Sequence, residues 1–257
     1  MNQLTIIKVG GKIVEDPESL KTLLNNFALI AGNKILIHGG GRSATDIGEK
    51  LGIETKMIDG RRITDRETLK VITMVYAGLI NKNIVAQLQA MRLDAVGLTG
   101  ADMNLILSSQ RPVESIDYGY VGDIKDVNVP VLAELLEQDY IPVLAPITHN
   151  GKGQLLNTNA DTIAAEVAKA LAYTFNVRLV YCFEKRGVLL NENDENSIIK
   201  ELDRELFERY KQKGIIKSGM IPKLENAFRA IAAGVKEIII TCAEDMNSGK
   251  GTFISNK

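Results

Sequence analysis

The sequence predicts an α/β protein, a three-layer αβα sandwich in which helices cover both faces of a mostly parallel sheet. Short apolar, β-branched runs end in glycine or polar turns and alternate along the chain with helical patterns. A β-α-β rhythm of this kind is typical of parallel sheets covered by helices. The 257 residues, 45% of them hydrophobic, suffice for one large domain or two fused lobes.

The predicted elements follow from this rhythm in chain order. Buried strands are expected at residues 4–9, 34–38, 95–99, 141–145, 177–183 and 237–241. Helices are expected at residues 18–31, 43–51, 65–91, 129–138, 160–171, 203–213 and 221–233. A boundary near residues 172–176 would divide the chain into lobes of residues 1–172 and 173–257.

Two shorter features interrupt the rhythm. Residues 57–63 centre on Asp59-Gly60, a dipeptide that favours a two-residue hairpin turn. Residues 118–124 read as a further strand or hairpin arm. Residues 192–197 are polar and predict a surface turn.

Composition excludes several classes of protein. The formal charge is -1, whereas a general nucleic-acid or membrane-surface binder normally carries a basic excess. The cysteines, Cys182 and Cys242, follow apolar runs and are expected to be buried free thiols of a cytoplasmic protein. The histidines, His38 and His149, are far apart and form no metal-ligand pattern, so no protein metal site is predicted.

Two glycine turns follow predicted strands. Lys8 is followed closely by Gly10 and Gly11 at the end of the first strand, and Gly39, Gly40 and Gly41 follow the second. Ligands of open α/β sheets bind beyond the carboxyl ends of the strands, and glycine lets backbone N–H groups approach an anion. The turns therefore favour a phosphate cradle, although neither matches a dinucleotide fingerprint or a P-loop. The alternative is a pair of ordinary turns beside a solvated lysine.

Two polar segments precede the predicted helices at 160 and 221. Asn157, Asn159 and Asp161 place two amides and a carboxylate in one turn, which suits a polar ligand. The alternative is that Asn159 or Asp161 only caps the helix. In the other segment, Pro222 suits the first turn of a helix and places Lys223 just inside it. A solvated lysine is the alternative there.

Six strings in the same order resemble the amino acid kinase family, and within it the kinases that phosphorylate N-acylated glutamate. They are residues 8–11 (KVGG), 38–41 (HGGG), 60–64 (GRRIT), 96–100 (VGLTG), 157–161 (NTNAD) and 219–223 (GMIPK). Each string is modest alone, but the ordered set spans nearly the whole chain. The turn at 183–187 (FEKRG) departs from the Asp-Val-Pro/Ser-Gly-like turn usual in relatives.

The resemblance implies roles for individual residues. Lys8 and Lys223 would stabilise charge on the transferring phosphoryl group, and Asp161 would hold both lysines. Phosphate and ATP contacts would come from Gly10, Gly11, Gly40, Gly41, Lys185, Gly187, Lys217 and Gly219. Arg62 and Asn157 would bind the acylated glutamate with help from Asn159. ATP phosphates would hold Mg²⁺.

The implied activity is ATP-dependent phosphorylation of the γ-carboxylate of N-acetyl-L-glutamate in arginine biosynthesis, giving an acyl phosphate and ADP. The first lobe would bind the acylated amino acid and form a homodimer, and the second would bind the nucleotide. Two alternatives stay open. The acyl group could be longer, such as succinyl, or the chain could be an inactive amino-acid sensor of the same fold.

Overall fold

The computed structural model describes residues 1–58, 61–217 and 219–256. Its strands are β1 (Gln3–Val9), β2 (Asn33–His38), β3 (Met57–Ile58), β4 (Arg61–Arg62), β5 (Ala95–Leu98), β6 (Ile106–Gln110), β7 (Gly122–Val127), β8 (Ile141–Leu144), β9 (Ile147–His149), β10 (Leu155–Asn157), β11 (Asn176–Cys182), β12 (Glu201–Leu202), β13 (Glu237–Thr241) and β14 (Thr252–Ile254). Its α-helices are α1 (Gly11–Glu15), α2 (Pro17–Ala28), α3 (Gly41–Lys50), α4 (Arg66–Thr73), α5 (Asn81–Ala90), α6 (Val129–Glu137), α7 (Ala160–Leu171), α8 (Arg204–Gln212) and α9 (Ile221–Ala232).

The described residues form an eight-stranded main sheet with the order β12-β14-β13-β11-β1-β2-β8-β5. Every neighbouring pair is parallel except β13 and β14, which are antiparallel. The predicted α/β fold with a mostly parallel sheet is therefore confirmed. Each of the six predicted buried strands is present within a residue or two of its expected bounds, whereas the strand expected at 118–124 overlaps β7 only at residues 122–124.

The alternation of side chains along β1 explains the three layers. Leu4 and Ile6 belong to a core cluster that includes residues of α6, α7, α8 and α9, whereas Ile7 and Val9 belong to a second cluster with α1 to α5. Successive side chains of a strand point to opposite faces. Lys8 therefore points to the same face as Leu4 and Ile6, toward α7 and α9.

The single helix predicted at 65–91 is present as one continuous helical stretch over residues 66–90. It consists of α4, a π-helical segment at Met74–Ile80 and α5. By length and composition alone, residues 66–90 could cross a membrane. The most apolar 18 residues of this stretch have a mean hydropathy of 1.2, but 44% of them are buried inside the protein. Ile72, Ile84 and Leu88 are fully buried in the core beside the main sheet, and a core helix of a soluble protein can have this composition.

A second sheet of four strands, in the order β10-β9-β6-β7, was not predicted beyond the strand at 118–124. The hairpin arms were predicted correctly, because β3 and β4 pair antiparallel with Met57 opposite Arg62 and Ile58 opposite Arg61. The Asp59-Gly60 turn itself lies outside the described residues. Thr64 forms an isolated bridge to Gly119, which ties the segment after the hairpin to the loop before β7.

Candidate active site

Two lysines share one buried carboxylate at the carboxyl end of the main sheet. The Lys8 Nζ at the end of β1 lies 2.6 Å from Asp161 Oδ1 in the first turn of α7. The Lys223 Nζ in the first turn of α9 donates to Asp161 Oδ2 at 2.5 Å. Lys8 and Asp161 are 5% and 6% exposed, so water screens this contact poorly. We call this group the ion triad.

The charges of the ion triad shift its pKa values. Burial lowers the pKa of Lys8 because it disfavours the ammonium form, and Lys223 adds to this effect while Asp161 opposes it. Burial alone would raise the pKa of Asp161, but the two lysines outweigh it and lower that pKa to about 2. Asp161 is therefore ionised at neutral pH.

The two glycine turns follow the carboxyl ends of β1 and β2 and meet each other there. A Cβ atom on Gly11 would lie 3.5 Å from the Gly40 nitrogen and 3.6 Å from the Gly41 nitrogen. Helix α1 begins at Gly11 and α3 begins at Gly41, so the N–H groups of two helix starts converge on one place. Such a place favours an anion. Gly40 has φ +151°, and a Cβ there would lie 2.3 Å from Ile80 Cδ1, so only glycine fits.

Gly10 has a different local role from Gly11. Its N–H donates to the Cys182 carbonyl at 2.9 Å, so that donor is already used. A Cβ on Gly10 would lie 3.1 Å from the Cδ1 atom of Phe183. Gly10 therefore makes room for an aromatic ring.

Glu15 links the two glycine turns and was not predicted. Its Oε1 accepts from the Ser43 N–H at 2.7 Å and from the Ser43 hydroxyl at 3.1 Å. A carboxylate that binds an N–H in the first turn of α3 stabilises that helix end. A carboxylate four residues after Gly11 was the only signal for it in the sequence.

Arg62 is buried beneath the second glycine turn. Its guanidinium donates to the Gly41 carbonyl at 2.7 Å and to the hydroxyls of Thr45 and Thr55 at 2.8 Å each. These acceptors are neutral, so the charge of Arg62 is held in place without being neutralised by them. An arginine held in this way is suited to bind a carboxylate.

Asn157 and Asn159 have separate environments. The Asn157 amide donates to the Thr64 hydroxyl at 3.0 Å, which places Asn157 beside the segment that carries Arg62. The Asn159 Oδ1 accepts from the N–H groups of Asp161 and Thr162 at 2.9 and 3.1 Å. Asn159 is thus the N-cap of α7, which is one of the two interpretations that its position allowed.

Four of the predicted ATP-binding residues contact groups other than the ion triad or stand open to solvent. Lys185 pairs with Glu195 at 3.7 Å, and Lys217 pairs with Glu192 at 3.2 Å. A Cβ on Gly187 would lie 2.8 Å from the Thr252 hydroxyl, so this glycine permits close packing. Gly219 is exposed, and a Cβ there would meet nothing within 4 Å.

The comparisons with known proteins show which family the chain belongs to. The chain belongs to the amino acid kinase family, whose sequence profile matches residues 3–242. This confirms the resemblance seen in the six strings.

The similar relatives are acetylglutamate kinases. The one from Parabacteroides distasonis is 63% identical over 99% of this chain and 100% of its own, and the one from Bacteroides thetaiotaomicron is 61% identical over 98% of each chain. Among solved structures, smu.665 from Streptococcus mutans UA159 is 26% identical, with a TM-score of 0.81 over 99% of both chains.

Proposed function

We propose that this protein is an acetylglutamate kinase that transfers the γ-phosphoryl group of ATP to the γ-carboxylate of N-acetyl-L-glutamate. The products are the acyl phosphate and ADP, and the reaction belongs to arginine biosynthesis. The ion triad, together with two glycine turns that meet at the same end of the sheet, is the observation that carries the proposal. Relatives named acetylglutamate kinase, at 59–63% identity over nearly the whole chain, support the choice of substrate.

The chemistry needs positioning and charge neutralisation more than a general base. A glutamate side chain has a pKa near ~4.3, so the nucleophilic carboxylate is already ionised at pH 7. The barrier then lies in bringing two anions together in line. Lys8 and Lys223 supply the cations, Asp161 orients both, and the N–H groups of Gly11, Gly40 and Gly41 face the phosphoryl oxygens.

The acylated glutamate is proposed to bind beside the second glycine turn. Arg62 lies there with neutral partners, so its guanidinium can pair with the α-carboxylate of the substrate. Asn157 lies next to Thr64 and is proposed to bind polar atoms of the acyl-amino group. Asn159 assists indirectly, since it caps the helix that carries Asp161.

The nucleotide is proposed to bind mainly to residues 173–257, and the acylated amino acid to residues 1–172. Lys185, Gly187, Lys217 and Gly219 are proposed to contribute on the ATP side, with Gly10 shaping the adjacent turn. Within the described residues, no three His, Cys, Asp or Glu side chains come together to hold a metal. Mg²⁺ is proposed to arrive with ATP on its phosphate oxygens and to neutralise part of their charge.

Trapping of the acyl phosphate tests the proposal directly. Purified protein is incubated with ATP, Mg²⁺ and hydroxylamine, and the hydroxamate is measured with N-acetyl-L-glutamate, N-succinyl-L-glutamate or unmodified L-glutamate. We expect turnover with the acetyl compound and little with free glutamate. Faster turnover with the succinyl compound would reassign the acyl group. Tight binding of acetylglutamate without any hydroxamate would favour an inactive sensor.

A further inference from the structure

The ring of Phe183 lies against both lysines of the ion triad. The Lys223 Nζ is 4.3 Å from the ring centroid and the Lys8 Nζ is 4.8 Å from it, each over the ring. The face of an aromatic ring carries negative charge density and attracts cations within about 6 Å. Each ammonium group therefore has Asp161 as one partner and the same ring as another.

Neighbouring residues fix the position of this ring. Tyr181 and Phe183 are two residues apart, so both point to the α7 face of the sheet, where their rings stack at 6.2 Å with an interplanar angle of 7°. The Tyr181 hydroxyl donates to the Asp161 carbonyl at 3.3 Å. Gly10 leaves the space that the ring edge needs. Tyr181 thus connects the ring of Phe183 to the backbone of Asp161.

We propose that Phe183 is a positioning residue for phosphoryl transfer, holding the ammonium groups of Lys8 and Lys223 against its face. This inference rests on the proposed function. Two cations with one carboxylate leave an excess positive charge in a buried place. A ring attracts both ammonium groups without using a strong acceptor, so their N–H groups stay available for phosphoryl oxygens. A strong acceptor in place of the ring face, such as a carboxylate, would compete for those N–H groups.

The proposal has a consequence for the pH dependence of the rate. The titratable groups that act on Lys8 are Asp161 from α7, Lys223 from α9 and the Cys182 thiol of β11, and the thiol is uncharged at neutral pH because burial raises its pKa. The ring favours the ammonium form of Lys8, so its removal lowers the pKa of Lys8 further. Because kcat requires the ammonium form of Lys8, kcat then falls at a lower pH than in wild type.

The first test compares Phe183→Leu with Phe183→Tyr. Leucine keeps an apolar side chain but has no ring face, whereas tyrosine keeps the face. For Phe183→Leu we expect kcat to fall at least roughly tenfold while KM for ATP changes little. In the pH profile of kcat, the alkaline limb should move to lower pH. Phe183→Tyr should stay within about threefold of wild type. An unchanged kcat and alkaline limb in Phe183→Leu would overturn the proposal.

Phe27→Leu is the matched control. Phe27 is a fully buried ring with the Lys34 Nζ 5.2 Å from its centroid, on a different helix from the ion triad. It should lower Tm by the loss of core packing and leave the alkaline limb in place. A limb shift of the same size in Phe27→Leu would assign the effect to general loosening and overturn the proposal.

A second test keeps the ring and does not depend on turnover. Phe183 is replaced with mono-, di- and trifluorinated phenylalanine, which keep the shape and weaken the negative face stepwise. In the ligand-free protein, the pKa of Lys8 measured by NMR should fall with each fluorine, and a flat series would overturn the proposal. If wild type makes no hydroxamate, the proposed function fails while this titration still reports on the ring.

Discussion

At the scale of single residues, the charge of the ion triad does not balance. One buried carboxylate faces two ammonium groups, and a lone buried charge is costly. Developing negative charge on a transferred phosphoryl group would supply the missing anion. The charges of the site would thus be better balanced in the transition state than in the ligand-free protein.

The lysines should therefore matter more for kcat than for KM. Lys8→Ala and Lys223→Ala are each expected to lower kcat by roughly 10²–10³, the range for preorganised electrostatic groups. Lys34→Ala is a matched control, since Lys34 is also buried but donates to the carbonyls of Phe27, Ala28 and Ile30 at the end of α2. It should reduce Tm and spare kcat. Near-normal kcat in a folded Lys8→Ala or Lys223→Ala would remove that lysine from the mechanism.

Asp161 should make stability depend on acid pH. Its folded pKa of about 2 lies below the ordinary 3.8, so its contribution is fully present above about pH 4 and is lost as pH falls toward 2. The difference corresponds to roughly 2 kcal/mol at ~1.36 kcal/mol per pKa unit. In urea unfolding, the gap between wild type and Asp161→Asn should narrow by about this amount from pH 5 to pH 2.

The same variant separates catalysis from helix capping. Asp161→Asn should lower kcat at pH 7 while ATP still binds. Asn159→Ala should cost about 1 kcal/mol of unfolding free energy, because Asn159 is the cap of α7. An Asp161→Asn enzyme with full kcat would show that Asp161 is only structural.

The resemblance to the family implied that Asp161 holds Lys8 and Lys223, and each of the three residues lies at the end of a strand or the start of a helix. The β-α-β rhythm brings such ends together in a parallel sheet. The sequence did not reveal the contact of Phe183 with the two lysines, since Phe183 falls in the turn that departs from the family pattern. The alternation of Leu179, Tyr181 and Phe183 on one face was the available signal. Glu15 was missed because its partner, Ser43, is 28 residues away.

At the scale of elements, the β3–β4 hairpin is proposed to be a lid over the acylated glutamate. A two-stranded hairpin is marginally stable unless something covers it. Arg62 anchors it to α3 and the preceding loop, whereas Arg61 is exposed. Binding of the substrate carboxylate to Arg62 should therefore close the hairpin.

Hydrogen exchange and two matched variants test the lid. Protection of residues 57–64 should rise with acetylglutamate and change little with ATP alone. Arg62→Lys should raise KM for acetylglutamate roughly tenfold or more, since lysine cannot form the bidentate pair. Arg61→Lys should leave KM for acetylglutamate nearly unchanged. Ligand-independent exchange together with a harmless Arg62→Lys would contradict both the lid and the carboxylate contact.

The elements also show where periodicity stops being informative. Long buried strands such as β1 and β11 were predicted because most of their residues are apolar or β-branched. The four-stranded sheet was missed since β9 and β10 have three residues each and mix polar with apolar side chains. The β6–β7 pair contains a register shift after Leu107, which disturbs strict alternation.

At the scale of the whole molecule, the two proposed lobes share one sheet. Strand β1 of the first lobe pairs along its whole length with β11 of the second, so the ion triad spans both lobes at a continuous edge. The parallel architecture could be predicted from the rhythm of the chain. The strand order could not, because it depends on which long-range pairings bury the most apolar surface.

An apolar surface on the helical stretch of residues 66–90 is a candidate contact between two copies of the chain. Met74 and Leu79 are 57% and 49% exposed, and Gly78 beside them is open, so a second helix can approach closely. Exposed apolar patches of this kind often mark subunit contacts. We propose that two copies pair through this stretch, as the homodimer expected from the resemblance would require.

Light scattering with matched charge variants tests the homodimer. Wild type is expected at twice the chain mass of 28.2 kDa. Leu79→Glu should shift the protein toward the monomer, because a carboxylate buried at the contact has no partner and costs several kcal/mol. Leu29→Glu is the control, since Leu29 is 77% exposed at the end of α2, outside this stretch. A monomeric wild type, or a dimer that Leu79→Glu leaves intact while Leu29→Glu breaks it, would refute this interface.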